Sequence, residues 1–359
     1  MTDKILIISP SFPPFSSGAA IYYSSILQGN KNKESIITLT TRSEKFIEPD
    51  EHILIYRVIP NFIEKNIFLR LLILPWMTLM QVSRLKIKHK ITHLQAHSST
   101  AITLGAIFAS RLFNIPITYD VQDCQAPIRI LKLGYQPRYL CTGNYVAELL
   151  KQKGINQTKI KIVPTLPPGI LPEKPLPLKQ QIFVFVGQLN IKGKGIDILL
   201  KSFGLLLHDY PQAKLWIIGQ GRDRKKIVQL IYLAGIGPNI TMFDNMPLDK
   251  TLDRISQASA LILPSRSEAQ PRVIVEAFAA GTLVIATRVG GIPELMGKSE
   301  RGVLIELNDI YGLHKAMIDV LKNPEQYQSA IRAGKQYVAG LPSWSELQKQ
   351  IWEFVVRNV

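Results

Sequence analysis

Residues 264–281, PSRSEAQPRVIVEAFAAG, decide how this chain is read. The preceding run ALILPS predicts a buried parallel strand that ends in a loop, because such strands are covered on both faces and read as continuous apolar residues. The following VIVEAFAA predicts a helix. Glu268 then falls in the strand-to-helix loop and Glu276 on the helix. Open α/β sheets bind ligands beyond the carboxyl ends of their strands, so both carboxylates can face one crevice. An ionised carboxylate only accepts hydrogen bonds, which suits hydroxyl-rich partners such as a sugar or a ribose.

Working outward, strands and helices alternate on both sides of this stretch. In the first half KILIISP, SIITLTT, ILIYRVIP, ITHLQAH and IPITYDV read as strands, with AAIYYSSIL and AITLGAIFASRLF as helices. Six prolines between residues 164 and 177 exclude a helix or central strand there and predict an extended linker. A second alternation starts at QIFVFVG. The tail, residues 310–358, reads as all-helical with a break near Gly340-Leu341-Pro342. This pattern predicts an α/β protein with two doubly wound, Rossmann-like domains. The expected divisions are an N-terminal domain at 1–163, a Pro-rich linker at 164–180 and a C-terminal domain at 181–340. A final helix at 341–359 is expected to return to the N-terminal domain.

Bulk properties narrow the setting. The chain has 359 residues, 46% hydrophobic and 19% charged, which is globular and long enough for two domains. Its two cysteines, Cys124 and Cys141, form no Cys-x-x-Cys pair, so a reducing cytosolic setting is expected. The first residues read as a strand from Lys4 and not as a signal peptide. Net charge is +16 and uneven. Residues 1–180 hold 22 Lys and Arg against 11 Asp and Glu, and residues 181–359 hold 21 against 16. The basic first half predicts an anionic partner. Basic residues are not interleaved with aromatics, so nucleic acid is not expected. Residues 67–82 are apolar but interrupted by Arg70 and Pro75, too short to span a bilayer. They read either as a buried helix with a solvated basic end or as an interfacial helix. In the second case Trp76 would touch lipid while Arg84, Lys86, Lys88, His89 and Lys90 meet headgroups.

Other segments carry candidate chemistry. Gly187 follows a strand and lets backbone approach a ligand, and Lys194-Gly195 opens a helix where an anion can be held. The alternative is that Lys192 and Lys194 are solvated loop residues. Gly219-Gln220-Gly221 lacks the last glycine of a dinucleotide fingerprint and reads first as a tight turn. Gly18, after PSFPPFSS, is a second candidate phosphate-approach loop. His93 and His97 lie on a strand without a companion carboxylate, so metal binding is not expected. His97 reads as a cleft-facing polar group. Asp120 and Asp123 sit at a strand end, either reaching the cleft or capping the next segment. Gly290-Gly291 permits close approach after another strand, with Glu294 three residues on.

Together these pieces resemble the retaining glycosyltransferases of family 4, which share the GT-B fold of two Rossmann-like domains facing a central cleft. The Glu-x7-Glu element is met by Glu268 and Glu276, the Gly…Leu…Lys-Gly element by Gly187, Leu189, Lys194 and Gly195, and the Gly-Gly-Ile-Pro-Glu element by residues 290–294. Pro13, Pro14 and Gly18 meet the N-terminal loop, and Gln95-Ala96-His97 the strand-end His-x-His. The resemblance implies that Lys194 binds the donor diphosphate, Glu268 the donor sugar and Glu276 the ribose. Amides around Val273 and Ile274 would hold the β-phosphate. Gly18, Gly187, Gln188, Gly290 and Gly291 would complete the donor site. His97, Lys194 and Glu268 would be the catalytic groups, the acceptor would lie in the N-terminal domain, and neither metal nor cofactor would be needed.

The chain departs from that pattern at several positions. Gln188 stands where the family carries a phosphate-binding arginine, which removes a fixed charge and a bidentate fork. Ser17 replaces a glycine, Gln95 and Gln122 replace histidines, and Ala269-Gln270-Pro271 replaces Gly-Phe-Gly. The expected activity is retaining transfer from a UDP- or GDP-type sugar to a lipid-linked or polysaccharide acceptor. The expected location is cytoplasmic, with peripheral contact to an anionic membrane surface. Alternatives are a non-catalytic nucleotide-sugar or partner-binding protein, and a nucleotide-sugar epimerase on the same scaffold.

Overall fold

Two runs of short apolar strands build two parallel sheets with the same strand order. The computed structural model describes residues 3–9, 36–41, 54–59, 72–98, 101–166 and 181–356. Gly18 and its loop, the expected helix AAIYYSSIL and the proline-dense residues 167–180 lie outside the described residues. The chain divides into two compact units, one formed by Met1–Pro164 with Pro342–Val359, the other by Thr165–Leu341.

In the first unit the strands are β1 (Ile5–Ile8), β2 (Ile36–Thr41), β3 (Leu54–Ile59), β4 (His93–His97), β5 (Ile117–Val121), β6 (Arg138–Cys141) and β7 (Ile160–Ile162). They pair in the order β3-β2-β1-β4-β5-β6-β7, and the pairs are parallel. Ile5 of β1 stands opposite both Ile36 and His93. The central strand β1 reads ILII with every side chain buried, as a sheet covered on both faces requires. Among the described residues its helices are α1 (Leu74–His89), α2 (Ala101–Leu112), α3 (Ile128–Leu131) and α4 (Asn144–Gln152). Helices α1 and α2 touch closely at Gly105, where an added Cβ would lie 2.3 Å from the Pro75 carbonyl oxygen. Helix α1 buries Leu74, Thr78, Val82 and Leu85, yet leaves Trp76, Met80 and Ile87 at 67%, 68% and 80% exposure.

In the second unit β8 (Ile182–Val186), β9 (Lys214–Ile218), β10 (Ile240–Phe243), β11 (Ala260–Leu263), β12 (Leu283–Thr287) and β13 (Val303–Ile305) pair in the order β10-β9-β8-β11-β12-β13. Its helices are α5 (Ile191–Lys194), α6 (Ile196–Asp209), α7 (Arg224–Leu233), α8 (Leu248–Ser256), α9 (Arg272–Ala280), α10 (Ile292–Leu295), α11 (Ile310–Lys322) and α12 (Gln328–Ala339). The core joins β8, β11 and β12 to the inner faces of α6, α9 and α11 through residues such as Phe185, Phe203, Ile262, Phe278 and Met317. The strand order reverses direction between β8 and β11, which makes their carboxyl ends the switch point where such sheets take ligands.

The last helix, α13 (Trp344–Val356), belongs to the first unit. Its start is set by a reciprocal cap: Ser343 N–H donates to Glu346 Oε2 at 2.8 Å, and Glu346 N–H to Ser343 Oγ at 3.3 Å. Near its end, Arg138 Nη1 of β6 donates to the Phe354 carbonyl at 2.6 Å. Among the described residues no helix is long and apolar enough to cross a membrane.

Candidate functional site

At the switch point of the second unit, three backbone loops are fixed by glycines that nothing larger could replace. Gly195 ends α5 with φ +64°, and a Cβ there would lie 2.0 Å from the Pro264 carbonyl oxygen at the end of β11. Gly290 has φ +56°, and its Cβ would meet the Glu268 carbonyl oxygen at 1.7 Å. A Cβ on Gly291 would meet the Ala269 carbonyl oxygen at 1.8 Å, and its N–H donates to the Glu268 carbonyl at 3.2 Å. The loop carrying Glu268 is therefore held between the end of α5 and the loop after β12. The close approach expected of Gly290 and Gly291 is made to this loop's own backbone.

That clamping brings Lys194 and Glu268 together. Lys194 Nζ donates to Glu268 Oε1 at 2.5 Å, and Ser265 Oγ donates to the same oxygen at 2.7 Å. The reading of Lys194 as a free solvated lysine is thus corrected: its charge is partnered. Short helix α5 is started by Asn190, whose Oδ1 accepts from Gly193 N–H at 3.2 Å.

Arg266 fastens this loop and was not anticipated from the sequence. Its backbone N–H donates to the Gly193 carbonyl at 2.8 Å, and Nη1 donates to the Ile191 carbonyl at 2.8 Å. The guanidinium also grips Asp197 through Nη1 and Nη2 at 2.9 and 2.8 Å, the bidentate geometry that arginine alone provides. Burial works to raise the Asp197 pKa, but the Arg266 hydrogen bond and charge win and hold it below the usual carboxylate range. The position of Arg266 in the sequence, two residues before Glu268, was the available signal.

Gly187 and Gln188 follow β8. The Gly187 N–H donates to the Ile218 carbonyl at 3.0 Å, continuing the ladder with β9. The Gly219-Gln220-Gly221 turn supports this loop directly. A Cβ on Gly219 would lie 2.0 Å from the Gly187 carbonyl oxygen, and Leu189 N–H donates to the Gln220 carbonyl at 2.9 Å. The Gln188 side chain is exposed.

Helix α9 begins after Pro271 with no side-chain cap and no acidic residue in its first turn. Of the two amides expected to face a phosphate, Ile274 N–H already donates to the Pro271 carbonyl at 3.2 Å, so it is not a free donor. The carbonyls three and four residues before Arg272 and Val273 lie outside the helix, so among the described residues these two amides are the orphan donors of this terminus. Glu276 is 8% exposed, one turn into the helix. Burial raises its pKa, opposed by the charge of Arg272, whose Nε lies 3.6 Å from Oε1. That distance is an ion pair and too long for a hydrogen bond.

His97, in the first unit, stands at the end of β4. Burial draws its pKa from 6.5 to about 4, with Asp123 opposing, so the ring is neutral at pH 7. The expectation that Asp120 reaches the cleft is corrected. It is 1% exposed within β5, where Gln95 Nε2 donates to both carboxylate oxygens at 3.0 Å. Gln95 thus has a structural partner where a second histidine had been the comparison. Among the described residues no three His, Cys, Asp or Glu side chains group as metal ligands would.

Two Rossmann-like units, each with the strand order 3-2-1-4-5-6 at its centre, define the GT-B class of glycosyltransferase folds. Residues 170–337 match the family described as Glycosyl transferases group 1. The D-inositol 3-phosphate glycosyltransferase of Corynebacterium urealyticum is 27% identical over 185 residues, 50% of this chain and 43% of that protein. The matched region spans less than half the length of the curated relatives. Sucrose-phosphate synthase from Thermosynechococcus elongatus has a similar structure, with TM-score 0.80 at 18% identity, covering 98% of both chains. Anabaena HepE in complex with UDP and glucose gives TM-score 0.78 at 17% identity, covering 100% of both.

Proposed function

We propose that this protein is a retaining, metal-independent glycosyltransferase of family 4 that uses a nucleotide-diphosphate sugar. The observation that carries the reading is the Lys194–Glu268 pair at the β8/β11 switch point, with buried Glu276 on the helix that follows. Breaking a sugar–phosphate bond places charge on the leaving diphosphate. Lys194 and the orphan amides of α9 are preorganised to stabilise it. Glu268 accepts from donor-sugar hydroxyls and Glu276 from the ribose. The bond from C1 of the sugar to the phosphate oxygen breaks, and a bond from C1 to the acceptor oxygen forms on the same face. The acceptor proton passes to the leaving phosphate. A UDP-type donor is favoured, since the structurally similar HepE was solved with UDP and glucose.

The acceptor side is assigned to the first unit, with His97 a neutral hydrogen-bonding group for an acceptor hydroxyl. Outward-facing Trp76, Met80 and Ile87 on α1, beside Arg84, Lys88 and Lys90, support a lipid-linked acceptor and peripheral contact with an anionic membrane from the cytoplasmic side. Sedimentation with anionic vesicles should show binding that falls as salt is raised; no binding at low salt removes the membrane contact. For the activity, a thermal-shift screen of UDP-, GDP- and ADP-sugars should select one donor. That donor is then incubated with and without lipid-linked saccharides. Transfer to an acceptor supports the reading. An epimer formed without acceptor, or binding without turnover across the acceptor panel, overturns it.

A further inference from the structure

Arg272 stands in a place that a cation does not ordinarily occupy. It is the first residue of α9, where the helix dipole favours negative charge, and its side chain is only 19% exposed. Among the described residues, no hydrogen bond reaches its buried Nε. Its charge partner is Glu276, one turn along at 3.6 Å. At that length the ion pair leaves the Nε–H poorly satisfied, not bare. An anion at this terminus would satisfy the guanidinium, the orphan amides of α9 and the helix dipole together.

The neighbouring groups indicate which anion. Of the three cations of this site, Arg266 is locked bidentately to Asp197, which leaves Lys194 and Arg272, each paired to one carboxylate, Glu268 and Glu276. Gln188, on the loop after β8, brings no charge. Without a second cation, Lys194 alone would face a diphosphate while still bonded to Glu268.

Resting on the glycosyltransferase reading above, we propose that Arg272 binds the donor diphosphate and exchanges Glu276 for it. The same exchange at Lys194 releases Glu268. Ligand binding thereby frees each carboxylate to accept from a hydroxyl, and an empty site stays internally neutral. Arg272 then supplies, from the helix, the fixed charge that Gln188 does not.

The test is calorimetry with UDP, GDP and ADP, and with uridine, guanosine and adenosine, on wild type, Arg272→Ala and the double variant Gln188→Arg/Arg272→Ala. Removing Arg272 can strand Glu276, so Glu276→Gln and Glu276→Gln/Arg272→Gln are compared as well. On the proposal, loss of Arg272 weakens binding of the preferred diphosphate by about 10- to 100-fold in both backgrounds. Nucleoside binding changes by less than about threefold, and Gln188→Arg restores most of the diphosphate affinity. Equal losses for nucleoside and diphosphate, with no restoration, would show a counter-ion for Glu276 only and overturn the Arg272 assignment. A wild-type protein that binds none of the three diphosphates would overturn the donor reading itself along with this proposal.

Discussion

The switch point of the second unit and that of the first are framed by equivalent strands, β8 and β11 in one and β1 and β4 in the other, but they hold different chemistry. Beyond β11 the polar groups are charged and paired: Lys194 with Glu268, Arg272 with Glu276, Arg266 with Asp197. On β4 and β5 the polar groups are turned inward or kept neutral. Gln95 is bonded to buried Asp120, and His97 is held uncharged by burial. The same strand order therefore fixes where a ligand can approach, while side chains decide which ligand is stabilised. Paired charges can exchange partners with a polyanion. A neutral imidazole can bond a hydroxyl without the cost of desolvating an ion.

The largest effect that sharpens this contrast belongs to the charged site. Lys194→Ala or Glu276→Ala should lower kcat/KM for the donor by on the order of 10²- to 10³-fold, measured by steady-state transfer, with the fold checked by circular dichroism. Wild-type turnover in either variant would break the assignment of the charged switch point. Next comes the frame. Gly290→Ala places a Cβ against the Glu268 carbonyl oxygen at positive φ, and should destabilise the protein by about 3 kcal/mol in denaturant unfolding. A loss below about 0.5 kcal/mol would mean that this loop contact is not held as described.

Arg266→Met is a smaller perturbation, acting through the loop that carries Lys194. Turnover should fall about tenfold. The expected signature is a raised donor KM that Lys194→Ala no longer shows when combined with it; additive losses would remove the positioning role.

The last test concerns the neutral site. Because His97 titrates near 4 when folded and near 6.5 when unfolded, the unfolded chain binds more protons between those values. Stability should rise with pH across that window, and its loss should accumulate as pH falls from 6.5 towards 4. His97→Gln should remove a contribution of up to ~2 kcal/mol from that slope in chemical unfolding followed at several pH values. An unchanged slope would place a charged histidine at this strand end.

Much of the second unit was legible in the sequence because its signals are local. Apolar runs such as ALIL and LVIAT read as buried strands and are fully buried. The spacing of Glu268 and Glu276 put one on a loop and one on a helix, as the structure has them. What was not legible depends on distant residues. Arg266 meets Asp197 across 69 positions and Thr165 meets Gln270 across 105, and neither spacing has a period to detect. Gly219 reads as a turn residue, and its close approach to the Gly187 carbonyl depends on how β8 and β9 pair. Asp120 looked available at a strand end because nothing local announces Gln95 on the neighbouring strand.

The sequence by itself determined the doubly wound class, the two carboxylates after the ALILPS strand and the lysine before the α6 helix. Hydrophobic period, glycine placement and strand-loop-helix order are written in consecutive residues. Only the tertiary structure decided that Lys194 closes onto Glu268, that Arg272 lies hidden beside Glu276 with a poorly satisfied Nε, and that Gly195, Gly290 and Gly291 are packed against the loop they support. Charge pairing and steric contact depend on distances between segments far apart in the chain, and those distances exist only once the sheet has set its register.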